Sequence, residues 1–393
     1  MPTGILAGVR VLDFTWVLAG PYATRILADF GAEVIKVQSA RIARGAEDNQ
    51  TGYFQTWNRN KKSITLNLDH PAGRGLALAL AAVSDIVVEN FSPRVMSNWT
   101  LTYQDIRAVK SDVIMLSMSA AGRTGPGTDW LGFGPTLHAL SGFTYLTSFS
   151  EQDPLGLGVP YGDVISGLYG ALATVAALEY RARTGQGQHI DLSEYEALCT
   201  LLGPSLADSS VTRQPGRPQG NGPGEVPAGP HGCYPCRGKD RWCVIAVFTE
   251  EEWAALCRVM GDPAWTEGFS TLAKRKEQAT ELDSRIGEWT AQHSPEEVVA
   301  MLQSARVPAG VVQNAEDVFR DPHLAARNFF RRVSHPRLGE TASDASPIRM
   351  NGERGRTWMP APLLGEHNRY VFRDLLRLSE LEWSEYVQSG VIG

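Results

Sequence analysis

The chain has 393 residues, 43% of them hydrophobic and 20% charged, which suits a globular protein long enough for two domains. Its 43 acidic residues outnumber 37 basic ones, and the formal charge of −6 excludes a nucleic-acid scaffold or a basic membrane-binding surface. Any anionic ligand must therefore meet bases placed locally. Five cysteines, an odd number in a long chain, argue against a disulfide framework. His231-x-Cys233-x-x-Cys236 with Cys243 has thiolate spacing suited to zinc, but no second paired cluster accompanies it. Core thiols in a hairpin are expected there, and no metal. The longest charge-free run, 130–150, is interrupted by Gly, Pro, His, Ser and Thr, so it reads as buried protein. With no basic leader before the first strand, the expected location is cytoplasmic, with no membrane partner.

In chain order, β-branched runs at Val9–Phe14, Glu33–Val37, Ser63–Leu68, Ile86–Glu89 and Val113–Met118 predict strands. Helical patterns at Tyr22–Phe30 and Gly73–Val83 fall between some of them. That alternation predicts an α/β fold with a large, Rossmann-like, doubly wound domain. The dinucleotide fingerprint is missing after the first strand, where the chain reads Leu18-Ala-Gly-Pro-Tyr-Ala, so a nicotinamide dinucleotide is not expected.

Tyr161-Gly-Asp163 then opens a long helical pattern. Ile165, Leu168, Leu172 and Val175 line one face, Arg181 and Arg183 sit in the last turn, and Gly185 follows as a C-cap. Asp163 sits where an N-cap belongs, and the helix dipole there would keep its carboxylate ionised at pH 7. Two readings of Asp163 stay open from the residues alone: a helix cap and a carboxylate nucleophile.

Residues 203–230 are rich in Gly, Pro, Ser and Asn and read as a linker or active-site loop. A smaller α+β domain follows over 231–330, with capping boxes at Thr249-x-x-Glu252 and Ser294-Pro-x-Glu297. The first domain thus spans 1–202, and 331–393 forms a C-terminal segment.

Tyr-x-Asp-x-x-x-Gly, an alanine-rich helix and then Arg181-x-Arg183-Thr-Gly-x-Gly-Gln-x-Ile-Asp191 resemble the active-site segment of class III CoA-transferases, the CaiB/BaiF family. Similar matches run along the chain: Leu6–Thr15, Leu27–Val37, Asn58–Ser63, Asp85–Phe91, Gly122–Pro126, Val307–Val311 and Leu364–Asn368. The resemblance implies a fold of two subunits threaded through each other. It places 331–393 back on the large domain and leaves open a homodimer or a heterodimer with a paralogous subunit. It also implies that Asp163 carries the acyl group and then CoA, with acyl-CoA and a carboxylic acid as substrates and no permanently bound cofactor.

By the same resemblance, Val17 and Leu66 would pack on the adenine of CoA, with Asn90 and Phe91 at a strand end. Several bases usual in the family are replaced here, by Gln38-Ser39, Asp69 and Asn98. Arg41 or Arg44, Lys61 and Arg94 are the expected substitutes at the CoA phosphates. Trp16, Leu18, Tyr22, Phe133 and Tyr161 would form an aromatic acyl pocket. Segment 221–224 would act as a cover, and the Ser119–Pro126 loop would offer backbone N–H groups to an oxyanion. Leu18 and the lack of a glycine quartet set the chain apart from formyl-CoA transferases. Succinyl-CoA as donor and an aromatic acceptor such as benzylsuccinate are expected. The alternatives are an α-methylacyl-CoA racemase and a subunit of a heteromeric transferase. The racemase family's second base is a His where this chain has Phe133, and His138 reads as a core histidine.

Overall fold

The computed structural model describes residues 4–41, 43–149, 154–218, 220, 226–261, 268–354 and 359–393. Two compact units divide the chain: Met1–Thr144 with Gly156–Gln214 and Pro322–Gly393, and Tyr145–Leu155 with Pro215–Asp321.

The larger unit is built on six parallel strands: β1 (Arg10–Asp13), β2 (Glu33–Gln38), β3 (Lys61–Thr65), β4 (Ile86–Glu89), β5 (Ile114–Ser119) and β6 (His189–Ser193). Their order is β3-β2-β1-β4-β5-β6. The winding reverses between β1 and β4, where a doubly wound sheet opens a crevice beyond its carboxyl ends. Alternate strand residues feed two cores. Leu12, Ile35, Val87 and Met115 meet Leu76, Ala77 and Leu80 of the Pro71–Ala82 helix. Val11, Val34, Ile86, Ile114 and Leu116 meet Ala19, Ala23 and Leu27 of the Ala19–Asp29 helix. β6 was not among the expected strands, because its polar His189 and Asp191 interrupt the β-branched pattern of a buried strand.

The long helix runs Tyr161–Thr184 and ends on Gly185 in the left-handed region at φ +72°. Its buried face corrects the sequence reading. Gly162, Ser166, Gly167, Gly170, Ala171, Thr174 and Ala177 face inward, whereas Leu168, Leu172 and Val175 are exposed. The cause is close approach: a Cβ on Gly167 would lie 2.9 Å from the Ala19 carbonyl oxygen, and one on Gly170 3.0 Å from Leu116. Only small residues fit, so the large apolar ones are left outside.

The run Asn58–Ser63 forms a charge knot under the sheet. Arg59 donates to both Asp29 oxygens, at 3.0 and 2.6 Å, and to Asp344 at 2.6 Å. Asn60 Nδ2 donates to Asp29 at 2.7 Å. The C-terminal segment lies along β3: the Thr65 N–H donates to Asn368 Oδ1 at 2.8 Å, the Asn67 N–H to the Val391 carbonyl at 2.8 Å. Val391 and Ile392 enter the core beside Ile64 and Leu66. This covers an edge that would otherwise present unpaired backbone groups. Within 203–230, Gly203–Thr212 is a helix rather than linker; 221–224 lies outside the described residues.

The smaller unit has an antiparallel sheet of β7 (His231–Pro235), β8 (Trp242–Ala246) and β9 (Ala309–Val311). Helices Glu250–Met260 and Pro295–Ser304 start on the capping boxes read from the sequence. Tyr234, Ile245, Trp253, Leu256, Ile286 and Leu302 fill its core together with Cys236 and Cys243. None of the five cysteines, all of them among the described residues, is in a disulfide.

Candidate active site

Asp163 is the third residue of its helix and not the N-cap; Pro160 occupies that position and makes no side-chain bond. The orphan Gly162 N–H donates to His138 Nε2 at 3.0 Å. Burial lowers the pKa of that ring, in keeping with a neutral imidazole that accepts. The Asp163 carboxyl accepts from its own backbone N–H, yet burial outweighs that bond and pushes its pKa up to about 6. Desolvation, and not the helix terminus, sets the direction of the shift. At pH 7 the group is still about 90% ionised. Gly134, at the start of the Gly134–Leu140 helix, lies against it: a Cβ there would sit 2.5 Å from Asp163 Oδ2.

Asp163 and Glu194 line a cavity of about 310 Å³ with Trp16, Val17, Asn90–Pro93, Val95, Ser119, Ala120 and 130–133. Trp16 and Val17 form the turn between β1 and the first helix. Val17 has φ +63°, a costly conformation for a β-branched residue. Three hydrogen bonds hold it. Asn90 accepts from the Trp16 N–H at 2.9 Å and donates to the Trp16 carbonyl at 3.0 Å. The Val17 N–H donates to Glu47 Oε1 at 3.0 Å.

A second cavity of about 330 Å³ is lined by Phe14, Thr15, Trp16, Gln38, Arg41, Glu47, Leu66, Leu68, Asp69, Phe91, Val95 and Trp99, among others. Trp16, Phe91 and Val95 belong to both cavities. The rings of Trp16, Phe91 and Trp99 form a chain, with centroids 5.9 Å apart for Trp16–Phe91 and 5.4 Å for Phe91–Trp99. Arg41 is exposed at this second cavity, 3.9 Å from Asp69.

Other expected site residues lie elsewhere. Lys61 is fully buried and donates to Asp13 at 3.1 Å, the Pro21 carbonyl at 3.0 Å and Asn58 at 2.9 Å. Burial lowers its pKa to about 8 despite Asp13, and it has no route to a phosphate. Arg94 pairs in solvent with Asp129 at 3.3 Å and lines neither cavity. Val17 lines the Asp163 cavity and not the Leu66 cavity, so it does not share a pocket with Leu66. Leu18 is buried in the protein as the N-cap of the first helix. Tyr22 packs on Trp57 and Arg25, and Tyr161 on Phe143. Of the five proposed acyl-pocket residues, Trp16 and Phe133 line the cavity.

Glu194 and Gly134 were missed as site residues, and Ser119 was read only as the start of a loop of backbone donors. Glu194 is buried and follows β6 directly; the polar residues that hid this strand also hid the strand end that marks the carboxylate.

The model of CoA-transferase family III matches residues 6–368 of this chain. The chain belongs to that family. It is a family III CoA-transferase, with CoA thioesters as substrates. It is similar to the succinyl-CoA–D-citramalate CoA-transferase of Chloroflexus aurantiacus, 34% identical over 96% of each chain. It is also similar to the alpha subunit of the succinyl-CoA–L-malate CoA-transferase of Chloroflexus aurantiacus, 34% identical over 96% of this chain and 90% of that one. Among solved structures, a CaiB/BaiF family protein from Brucella suis superimposes with a TM-score of 0.86 at 28% identity, covering 95% of this chain and 99% of that one. The Rossmann-like architecture expected from the strand pattern is thus that of the family.

Proposed function

We propose that this transferase moves CoA from succinyl-CoA to an aromatic or otherwise bulky carboxylic acid, with Asp163 as the covalent carrier. The observation that carries the reading is the pair of adjoining cavities. One holds a partly desolvated carboxylate between aromatic walls, the other an apolar floor around Leu66, and Trp16, Phe91 and Val95 line both. A thioester has two such halves, with its reacting carbon between them.

An Asp163 oxygen attacks the thioester carbonyl, and the CoA thiolate leaves to give a mixed anhydride. The thiolate attacks the aspartyl carbonyl, which releases the donor carboxylate and forms an aspartyl-CoA thioester. The acceptor carboxylate attacks that thioester, expelling the thiolate and forming a second anhydride. Attack by the thiolate on the acceptor's carbonyl then yields the new acyl-CoA and regenerates Asp163. Each tetrahedral intermediate needs hydrogen-bond donors at its oxyanion, and a site poor in water protects the anhydrides.

Succinyl-CoA as donor is supported by the activities of the similar succinyl-CoA-dependent transferases. For the acceptor, Trp16, Phe91, Trp130 and Phe133 line the Asp163 cavity, with no Lys, Arg or His among the described lining residues. Such walls favour an aromatic substituent, as in benzylsuccinate. Leu66 and Arg41 would bind the nucleotide of CoA. His138 is occupied by the Gly162 N–H and lines neither cavity, which leaves the racemase reading without its second base. The exposed stripe of Leu168, Leu172 and Val175 supports burial against a second subunit.

The test is a panel of acyl-CoA donors and free acids read by mass spectrometry, with Asp163→Asn as control. A CoA adduct on the peptide containing Asp163 supports the carrier. Exchange of an α-deuteron without CoA movement refutes it.

A further inference from the structure

We propose that Glu194 is a second catalytic carboxyl in this transferase, donating a hydrogen bond from its protonated oxygen to the acyl oxygen that becomes negative when Asp163 attacks. The inference rests on the carrier role of Asp163, and it assigns the opposite pole of the same step.

Three observations place Glu194 for this task. It lines the cavity of Asp163 and is itself 7% exposed, so its carboxyl lies at the reacting end, screened from bulk water. It follows Ser193, which pairs with Ser119 at the carboxyl ends of β6 and β5, and the Tyr195 N–H donates to the Ala120 carbonyl at 2.9 Å. The backbone on either side is therefore fixed by the sheet. Ser119, 6% exposed in the same wall, has a hydroxyl with no partner among the described residues. A buried hydroxyl left unpaired is costly unless a ligand completes it.

Among the described residues, no hydrogen bond or cation stabilises a charge on Glu194. Burial first, and the charge of Asp163 second, push its pKa up to about 8. At neutral pH one carboxyl of the pair is the anion that attacks and the other is the acid that donates, a division of roles that environments of this kind impose. The elements packed on the Glu194–Cys199 helix bring Asp163 from the long helix and His138 from the Gly134–Leu140 helix. His138 is occupied by the Gly162 N–H. From β5 and β6, His189 contacts Ser117 at 3.0 Å, and Asp191 accepts from the Arg123 N–H at 3.1 Å. Glu196 lies on the exposed side of the same helix.

No net proton transfer is required. As the Asp163 oxygen bonds to the thioester carbon, negative charge gathers on the acyl oxygen and strengthens the bond from Glu194. When the C–S bond breaks, the carbonyl reforms and the proton stays on Glu194. Once Asp163 is acylated its charge is gone, so Glu194 then feels burial alone. Ser119 is placed to donate beside it.

The experiment compares wild type with Glu194→Gln, Glu194→Ala and Ser119→Ala in CoA transfer between pH 5.5 and 9.5. Thermal melting and mass spectrometry of the Asp163 peptide accompany each variant. The expected kcat/KM of the wild type falls above about pH 8, as the donor is lost by ionisation. Glu194→Gln keeps an N–H donor that does not ionise, so it should lose about tenfold in rate together with the alkaline fall. Glu194→Ala should lose about 10²–10³-fold, the size of a lost oxyanion donor, with wild-type melting. Ser119→Ala should lose less. A Glu194→Ala variant that folds and turns over within threefold of wild type overturns the proposal. So does an alkaline fall unchanged in Glu194→Gln. An adduct on Asp163 in wild type, absent from Asp163→Asn, keeps the carrier reading intact whatever Glu194 does.

Discussion

Asp163→Asn should abolish transfer and, at the same time, stabilise the protein. Burial raises the pKa of Asp163 from 3.8 to about 6, a shift of about two units and thus about 3 kcal/mol at about 1.4 kcal/mol per unit. The sign follows from proton counts. Between pH 4 and 6 the folded chain holds a proton that the unfolded chain has released, so folding is increasingly opposed as pH rises. Above pH 6 both states are ionised and the cost stays constant. The amide carries no such cost. The variant should therefore match wild type near pH 4, gain through pH 6, and stay ahead by up to about 3 kcal/mol above it. Partial exposure of the side chain to its cavity makes that an upper value. Melting curves for both proteins from pH 4 to 8.5 measure the gain as a few degrees at the alkaline end. Transfer assays on the same samples measure the loss. Equal melting at every pH would show that Asp163 is not desolvated. Undiminished CoA transfer would show that it is not the carrier.

Wild-type kcat/KM should also fall below about pH 6 as Asp163 becomes protonated, with an apparent pKa belonging to the Asp163–Glu194 pair; a pH–rate profile reads it directly. Gly134→Ala puts a methyl 2.5 Å from Asp163 Oδ2 and should cost about a hundredfold in kcat with little change in melting, which steady-state kinetics and calorimetry separate. Lys61→Met leaves Asp13 buried without its lysine and should destabilise the fold by about 3–5 kcal/mol while KM for acyl-CoA stays near wild type; denaturant titration beside kinetics checks it. Leu66→Ala opens the floor of the second cavity and should raise KM for CoA thioesters several-fold, with a smaller effect on kcat.

Much of the large unit was legible because strands such as β4 and β5 carry apolar residues on both faces. A run such as Ile86–Glu89, buried throughout, can only be the interior of a parallel sheet. Periodicity failed on the long helix because it weighs residue size as evidence of burial. There, contact with the first helix selects glycine, and the leucines mark the face left over. Lys61, in the charged run 58–63, was misread for a related reason. Lysines and arginines in a signature suggest phosphate, and only three-dimensional contacts show that Asp13, Asp29 and Asp344 already neutralise them. Pairings between residues dozens to hundreds of positions apart leave no local spacing to read.

The same reasoning explains why the acidic half of the site was partly hidden. A helix start and a carboxylate together suggest a low pKa, and that is the answer for a solvated cap. Asp163 departs from it because the Gly162 N–H is taken by His138 and aromatic walls replace water. What remains is a carboxylate poorly stabilised as an anion yet still charged at neutral pH. Instability of that kind favours attack on a carbonyl, since the charge is relieved when the oxygen is acylated. The cavity of Asp163 is also lined by a strained turn, Trp16–Val17, held by Asn90 and Glu47. Glu47 also pairs with the buried Lys36 at 3.2 Å, which ties that turn to β2. The charged residues of the sheet thus act on the chemistry indirectly, by fixing backbone that a reactive carboxylate needs to have fixed.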